Sequence, residues 1–174
     1  MDPSKLGKRF SREGRVDRDI AIDTFIESSH TILDYASSNG INLAMELNVV
    51  QKFNLDNGEN NLLLFANYDE TMIFLKKFRK NEIGLLLDLG HTSVTSHWLK
   101  FDKNEFVTKI RKLVSVVHAS NNNGLQDQHK ELTKTCWQTS KLKDFKKKPI
   151  TLETMNLTTD QIKKNIQIAK DAIK

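Results

Sequence analysis

Four short apolar segments of the sequence each end in a side chain that can ligate a divalent metal. The segments cover 41–47, 83–88, 113–118 and 150–153, and their candidate ligands are Glu46, Asp88, His118 and Glu153. Three carboxylates and one imidazole suit Mn²⁺, Mg²⁺ or Co²⁺, or Zn²⁺ in a carboxylate-rich site. A single Glu or His at such a position is more often structural, whereas four out of four indicates a shared site.

Helical patterns lie before and between these segments. Apolar residues recur at helical spacing over 17–38, and Asn39-Gly40 supplies a stop. Further helices are predicted from near Asp69, from Asp102 to about 112, weakly over 132–142, and after a Thr158–Gln161 capping box. Because the apolar segments are short and bounded by turn residues, they are predicted to be buried strands.

The alternation of strands and helices predicts an α/β fold with a parallel sheet. In such folds the carboxyl ends of the strands converge on one face, where sites are built. We therefore expect the four candidate ligands to meet. The long polar segment 49–67 is expected to be either a lid over this site or a disordered surface loop, and Trp98 is expected to pack at the rim.

Length and composition predict one globular domain over 1–174, with 1–16 flexible. The chain has a net charge of +5 and 38% hydrophobic residues, and no apolar run is long enough to span a membrane. The single cysteine, Cys136, fits a reducing cytoplasm. The basic excess lies mostly in the first 18 residues and in 141–148, without interleaved aromatic residues, so a nucleic-acid partner is not expected.

Five motifs resemble the xylose-isomerase-like TIM-barrel superfamily, which includes sugar and sugar-phosphate isomerases and epimerases and apurinic-site endonucleases. They are MELN at 45–48, LDLGH at 87–91, VHASNNNG at 117–124, DQH at 127–129 and LE at 152–153. The resemblance implies a partial (β/α)8 barrel, about strands five to eight with their outer helices. Asn121 departs from the pattern, since these families often place Asp there.

The resemblance also implies roles for the residues. Glu46, Asp88, His118 and Glu153 would bind a divalent metal, with Glu46 and Glu153 as catalytic acid and base. His91 would contact substrate in the sugar enzymes. In the endonuclease branch, a further zinc would instead be held by His91, Asp127 and His129.

Three functions follow from these patterns. The first is a metal-dependent isomerase or epimerase of a small sugar or sugar phosphate, working by proton transfer through an enediolate. The second is a zinc-dependent apurinic-site endonuclease-like protein, and the third is a non-catalytic fragment.

A whole barrel needs roughly 250 residues. We therefore expect the chain to be a fragment of a longer protein, to pair with an N-terminal half or with itself, or to be an inactive remnant. As an isolated monomer it is expected to be poorly active.

Overall fold

A computed structural model describes residues 16–79 and 82–174. Its helices are α1 (Arg18–Ser38), α2 (Tyr68–Leu75), α3 (Leu89–Leu99), α4 (Lys103–Ile110), α5 (Trp137–Leu142) and α6 (Thr159–Ala172). Its strands are β1 (Ala44–Glu46), β2 (Gly84–Asp88), β3 (Val114–Ala119) and β4 (Ile150–Leu152). Short 3₁₀ turns lie at Lys52–Asn54 and Lys143–Phe145. The part of the flexible-terminus prediction that covers 1–15 lies outside the described residues.

The four strands form one parallel sheet in the order β1-β2-β3-β4. Sequential parallel strands with helical crossovers are the repeating unit of a TIM barrel, and four strands are half of its eight. The predicted α/β fold and partial barrel are therefore confirmed. The register places Asp88 beside His118, and it places Glu46 beside Leu86, two residues before Asp88.

Alternation along the strands separates two faces of the sheet. Met45, Leu85, Leu87, Val117 and Ala119 are buried against the helical layer. The alternate positions, which include the candidate ligands, face the other side. One apolar cluster unites the strands with α1, α2, α4 and α6 across the described residues. Within that part of the chain, no helix combines the length and the apolar character needed to cross a bilayer.

Several local predictions need correction. Helix α2 begins after Asn67, whose side chain accepts from Glu70 N, so Asp69 is not its N-cap. Helix α3 was not predicted, because its buried Thr and Ser residues hide the apolar period. Segment 49–67 is not a disordered loop: Val50 and Phe65 are buried, and Asn48 Nδ2 donates to Leu64 O. Helix α5 is shorter than expected, whereas the reciprocal Thr158–Gln161 cap of α6 is confirmed.

Candidate metal centres

The four strand-end residues come together as predicted. One ligand atom from each of Glu46, Asp88, His118 and Glu153 lies within 4.8 Å of all the others. We call this group the strand-end cluster. Glu46 and Asp88 are the last residues of β1 and β2, His118 is the penultimate residue of β3, and Glu153 follows β4 directly. His118 Nδ1 lies 3.0 Å from Glu153 Oε2, within hydrogen-bond distance.

Burial divides the three carboxylates of the strand-end cluster. Asp88 is only 1% exposed, whereas the side chains of Glu46 and Glu153 are 42% and 37% exposed. Asp88 caps α3, since its Oδ1 accepts from His91 N at 2.8 Å. Asp88 Oδ2 is buried and has no hydrogen-bond partner among the described residues. Such an orphaned acceptor inside a ligand cluster is what a bound cation would satisfy.

The electrostatic state of Asp88 supports the same interpretation. Burial raises the pKa of this carboxyl group, and the neighbouring Glu153 raises it further against the opposing effect of His91. A buried carboxyl group whose charged form is energetically unfavourable, next to two further carboxylates, is typical of functional sites. The chemistry of the donor set and the orphaned oxygen both fit a divalent cation.

A second group lies beside the first. Ligand atoms of His91, Asp127 and His129 are also within 4.8 Å of one another. We call this group the histidine cluster. Asp127 Oδ2 lies 3.3 Å from His91 Nε2 and 3.0 Å from His129 Nε2. Asp127 Oδ1 is buried without a partner among the described residues, which repeats the orphaned oxygen of Asp88.

The two histidine rings of this cluster are oriented in the same way. His91 Nδ1 lies 3.2 Å from Leu47 O, and His129 Nδ1 lies 3.0 Å from Glu153 O. Each Nδ1–H therefore donates to a main-chain carbonyl oxygen, while each Nε2 faces Asp127. Metal-ligating histidines commonly have this arrangement, because the carbonyl fixes the tautomer that leaves the other nitrogen free for the cation.

In the absence of a cation, protons bound to the side chains of the histidine cluster balance its charge. Burial lowers the pKa of His91, but Asp127, Asp88 and Glu46 outweigh it and raise the value to about 9. Burial raises the pKa of Asp127, but the hydrogen bond and charge of His91, with His129, outweigh it and lower the value. A cation in this cluster would thus displace a proton from His91.

Tight packing holds the two clusters side by side. A Cβ added at Gly90 would lie 2.7 Å from Ser120 Oγ and 3.0 Å from Asp88 Oδ1, so a larger residue at this position would force these side chains to shift. Asn122 Nδ2 donates to Gly90 O at 2.9 Å and ties this turn to the loop after β3. His129 adopts φ 47°, a conformation that is uncommon outside glycine and that recurs at functional sites.

All seven residues predicted for the site fall in one of the two clusters. Asn121, the residue that departs from the family pattern, accepts through Oδ1 from Asn122 N. Sequence reasoning missed the supporting residues Asn122 and Thr95. Thr95 Oγ1 accepts from Val50 N and so anchors the segment after β1. The role of Thr95 could have been predicted only from its position on α3, and α3 itself was not predicted.

The fold and the strand-end carboxylates define a class: parallel α/β barrel proteins with a candidate metal centre at the carboxyl ends of the strands. Residues 6–174 match the family model described as xylose isomerase-like TIM barrel, and the chain belongs to that family. No curated protein matches the sequence.

A solved structure shares the fold. The crystal structure of a D-tagatose 3-epimerase-like protein superposes with a TM-score of 0.68 at 20% sequence identity. The match covers 87% of this chain and 54% of that chain. The chain therefore spans about half the length of this structural relative.

Proposed function

We propose that the chain supplies the metal-binding half of a sugar or sugar-phosphate isomerase or epimerase that depends on a divalent cation. The observation that carries this proposal is the convergence of four strand-end ligands within 4.8 Å. Family membership and the epimerase-like structural relative support it. The lone cysteine, Cys136, fits a reducing cytoplasm.

The strand-end cluster would hold the cation, and its oxygen-rich composition favours Mn²⁺, Mg²⁺ or Co²⁺. When bound, the cation supplies stabilisation of the negative charge that develops when a proton leaves the carbon beside a carbonyl. The buried Asp88 is suited to ligation alone, because its 1% exposure keeps it from substrate.

Glu46 and Glu153 are suited to proton transfer. They are the two carboxylates of the cluster that are exposed to the open side, and they come from the outermost strands, β1 and the end of β4. One removes a proton from the sugar carbon to give an enediolate, and the other returns a proton, to the opposite face of the same carbon in an epimerase or to the neighbouring carbon in an isomerase. General acid–base catalysis of this kind contributes about 10²–10⁴-fold for each group. Hydrogen bonding of His118 to Glu153 fixes the orientation of the latter.

We propose that His91 contacts the substrate in this reaction. Its side chain is 14% exposed and its Nδ1 lies 3.5 Å from Glu46 Oε1, so it stands beside one of the two acid–base groups. In this role His91 would donate from Nε2, which faces Asp127 in this structure, to a substrate oxygen.

The histidine cluster favours a second candidate function, metal-dependent hydrolysis of a phosphodiester, as in an apurinic-site endonuclease. Two adjacent metal sites activate water and stabilise the leaving oxygen in many phosphodiester hydrolases. His91, Asp127 and His129 would hold zinc in this reading. A duplex substrate has less support, since among the described residues the aromatic side chains next to the histidine cluster, Phe53 and Trp98, are accompanied by one cation, Lys52, rather than a series of cations.

A complete pocket requires more strands than the four described. We propose that a further (β/α)4 unit, from an N-terminal half or from another copy of the chain, completes the barrel and covers the inner face of the sheet. The isolated monomer is accordingly expected to exchange substrate protons slowly.

Metal content separates the two candidate functions. For the isomerase we expect about one Mn²⁺ or Co²⁺ for each chain, and replacement of Glu153 by Gln should abolish its binding. Glu27→Gln, on the exposed side of α1, is the matched control. Two or more tightly held Zn²⁺ ions would favour the hydrolase, and unchanged metal affinity in Glu153→Gln would disprove the site.

A further inference from the structure

A groove of about 360 Å³ lies beside the histidine cluster, and neither metal centre uses it. It is bounded by the segment after β1, the end of α3 and the loop after β3. Its lining includes two aromatic rings, three side-chain amides and one leucine: Phe53, Trp98, Gln51, Asn123, Gln126 and Leu125.

Hydrogen bonds between the three walls preform the groove. Trp98 Nε1 donates to Leu125 O at 2.9 Å, which ties α3 to the loop after β3. Within that loop, Asn123 Oδ1 accepts from both Leu125 N and Gln126 N at 3.0 Å. A site with its walls fixed in advance loses less conformational entropy when a ligand binds.

The groove adjoins the histidine cluster. Gln51, which lines the groove, accepts through Oε1 from Asp127 N at 3.2 Å, and the carboxylate of that aspartate belongs to the histidine cluster. A ligand in the groove therefore lies next to a residue that contacts the histidine cluster, and His91 of that cluster contacts Glu46 of the strand-end cluster.

The lining matches an uncharged ring that carries hydroxyl groups. Phe53 is 53% exposed and Leu125 is 42% exposed, which leaves apolar surface for the C–H face of a sugar. Asn123 Oδ1 and Gln51 Oε1 already accept from the main chain, so these two amides offer hydroxyl groups their N–H donors, and the Gln126 amide can offer both a donor and an acceptor. Lys52 is the one cation in the lining, and no acid lines it.

We propose that this groove is a subsite for a second, neutral sugar ring, so that the substrate is a glycosylated sugar. This inference rests on the proposed isomerase or epimerase function. The reacting sugar lies at the strand-end cluster, and the attached ring lies between Phe53 and the amides. A nucleic-acid strand fits less well, because its binding needs a series of cations to match successive phosphates.

Fluorescence of Trp98 tests the inference directly. In a Trp137→Phe background Trp98 is the only tryptophan of the chain. We expect cellobiose or maltose to change its emission saturably, with an affinity about tenfold tighter than that of glucose, a difference typical of one aromatic contact. Calorimetric titration of the full chain with the same sugars provides a second measurement that does not depend on the fluorophore.

Phe53→Ala should weaken disaccharide binding about tenfold. The matched control, Tyr35→Ala, removes an aromatic residue that is 73% exposed on α1 and should leave binding within about twofold. Equal affinity for glucose and disaccharides, no effect of Phe53→Ala, or preferential binding of a short thymidine oligonucleotide would each overturn the subsite.

Mn²⁺ binding is measured on the same samples to separate this inference from the proposed function. If Mn²⁺ binds the parent chain but not Glu153→Gln while disaccharides do not bind, the subsite alone is disproved. If disaccharides bind as expected but Glu153→Gln retains full Mn²⁺ affinity, the subsite stands and the proposed metal centre fails.

Discussion

His91 Nδ1 lies 3.5 Å from Glu46 Oε1, so a histidine of one ligand cluster contacts a carboxylate of the other. The main-chain N–H of the same histidine also donates to Asp88 Oδ1. The two clusters are therefore in direct contact through His91, and a change of charge in one cluster alters the electrostatic potential at the other.

Replacing His91 by Asn should separate the two clusters experimentally. In the hydrolase, where the histidine cluster holds zinc, loss of a direct ligand is expected to weaken Zn²⁺ binding there by at least about 100-fold, more than the loss of a supporting group costs. Mn²⁺ affinity at the strand-end cluster should change only a few-fold, through the contact with Glu46. Competition titrations and Co²⁺ absorption spectra measure both.

The exposed His97 provides the control, since His97→Asn removes an imidazole from the same helix without touching either cluster. Equal loss of metal at both clusters in His91→Asn would show that they form one site.

Metal-free protein should lose stability as the pH rises. The pKa of His91 is about 9 when folded and about 6.5 when unfolded, so its stabilising contribution is complete below pH 6.5 and disappears as the pH passes through 9. The shift corresponds to about 3 kcal/mol of unfolding free energy. Urea denaturation in the presence of a chelator, from pH 6 to pH 9.5, measures it.

The control for this prediction is His91→Gln, which cannot bind the proton. Its unfolding free energy should vary little over the same pH range. A parent protein whose stability is flat between pH 6.5 and 9 would contradict the assigned contacts of His91 with Asp127 and Asp88.

Asp88→Asn should stabilise the metal-free protein while it destroys the metal centre. Burial makes the charged carboxylate costly, and Asn keeps the acceptor that caps α3. A gain on the order of 1 kcal/mol is expected, because the Asn amide can donate to the neighbouring Glu153, whereas a second carboxylate repels it. In thermal denaturation, metal-free Asp88→Asn should have a higher midpoint than the metal-free parent protein. Addition of Mn²⁺ should not raise the midpoint of the variant further. A lower midpoint without metal would contradict this account of Asp88.

Gly90→Ala should destabilise the fold by about 1–3 kcal/mol, because the added methyl group collides with Ser120 Oγ. Ser120→Ala removes that oxygen, which is buried without a partner among the described residues, and should cost little. The double variant should recover part of the loss, so a double-mutant cycle should give a favourable coupling energy. Strict additivity would mean that the two residues do not crowd each other.

The strand-end cluster could be predicted from the sequence because one rule, the convergence of parallel strand ends, places all four residues. The existence of α3 could not be predicted from the sequence, because its buried face carries polar residues in place of the apolar residues that indicate a helix. These residues are Thr92, Ser93, Thr95 and Ser96. Helix α2 starts earlier than predicted because Asn67 and Asp69 are both good caps, and only tertiary packing selects between them.

The histidine cluster was predicted only through family resemblance. Asp127 and His129 lie in a loop, and nothing in their spacing to His91 indicates contact. The carbonyl groups of Leu47 and Glu153, which orient the two rings, belong to segments that are distant in sequence. Side-chain chemistry alone therefore identifies candidates, whereas main-chain positions decide how they are oriented.

The central claim is that Glu46, Asp88, His118 and Glu153 bind one divalent cation. Calorimetric titration of the chelator-treated chain with Mn²⁺ tests it most directly, alongside Glu153→Gln and Glu27→Gln. We expect one saturable site in the parent chain and in Glu27→Gln, and loss of that site in Glu153→Gln. Binding of Mn²⁺ that is equal in all three proteins, or absent from all three, would contradict it.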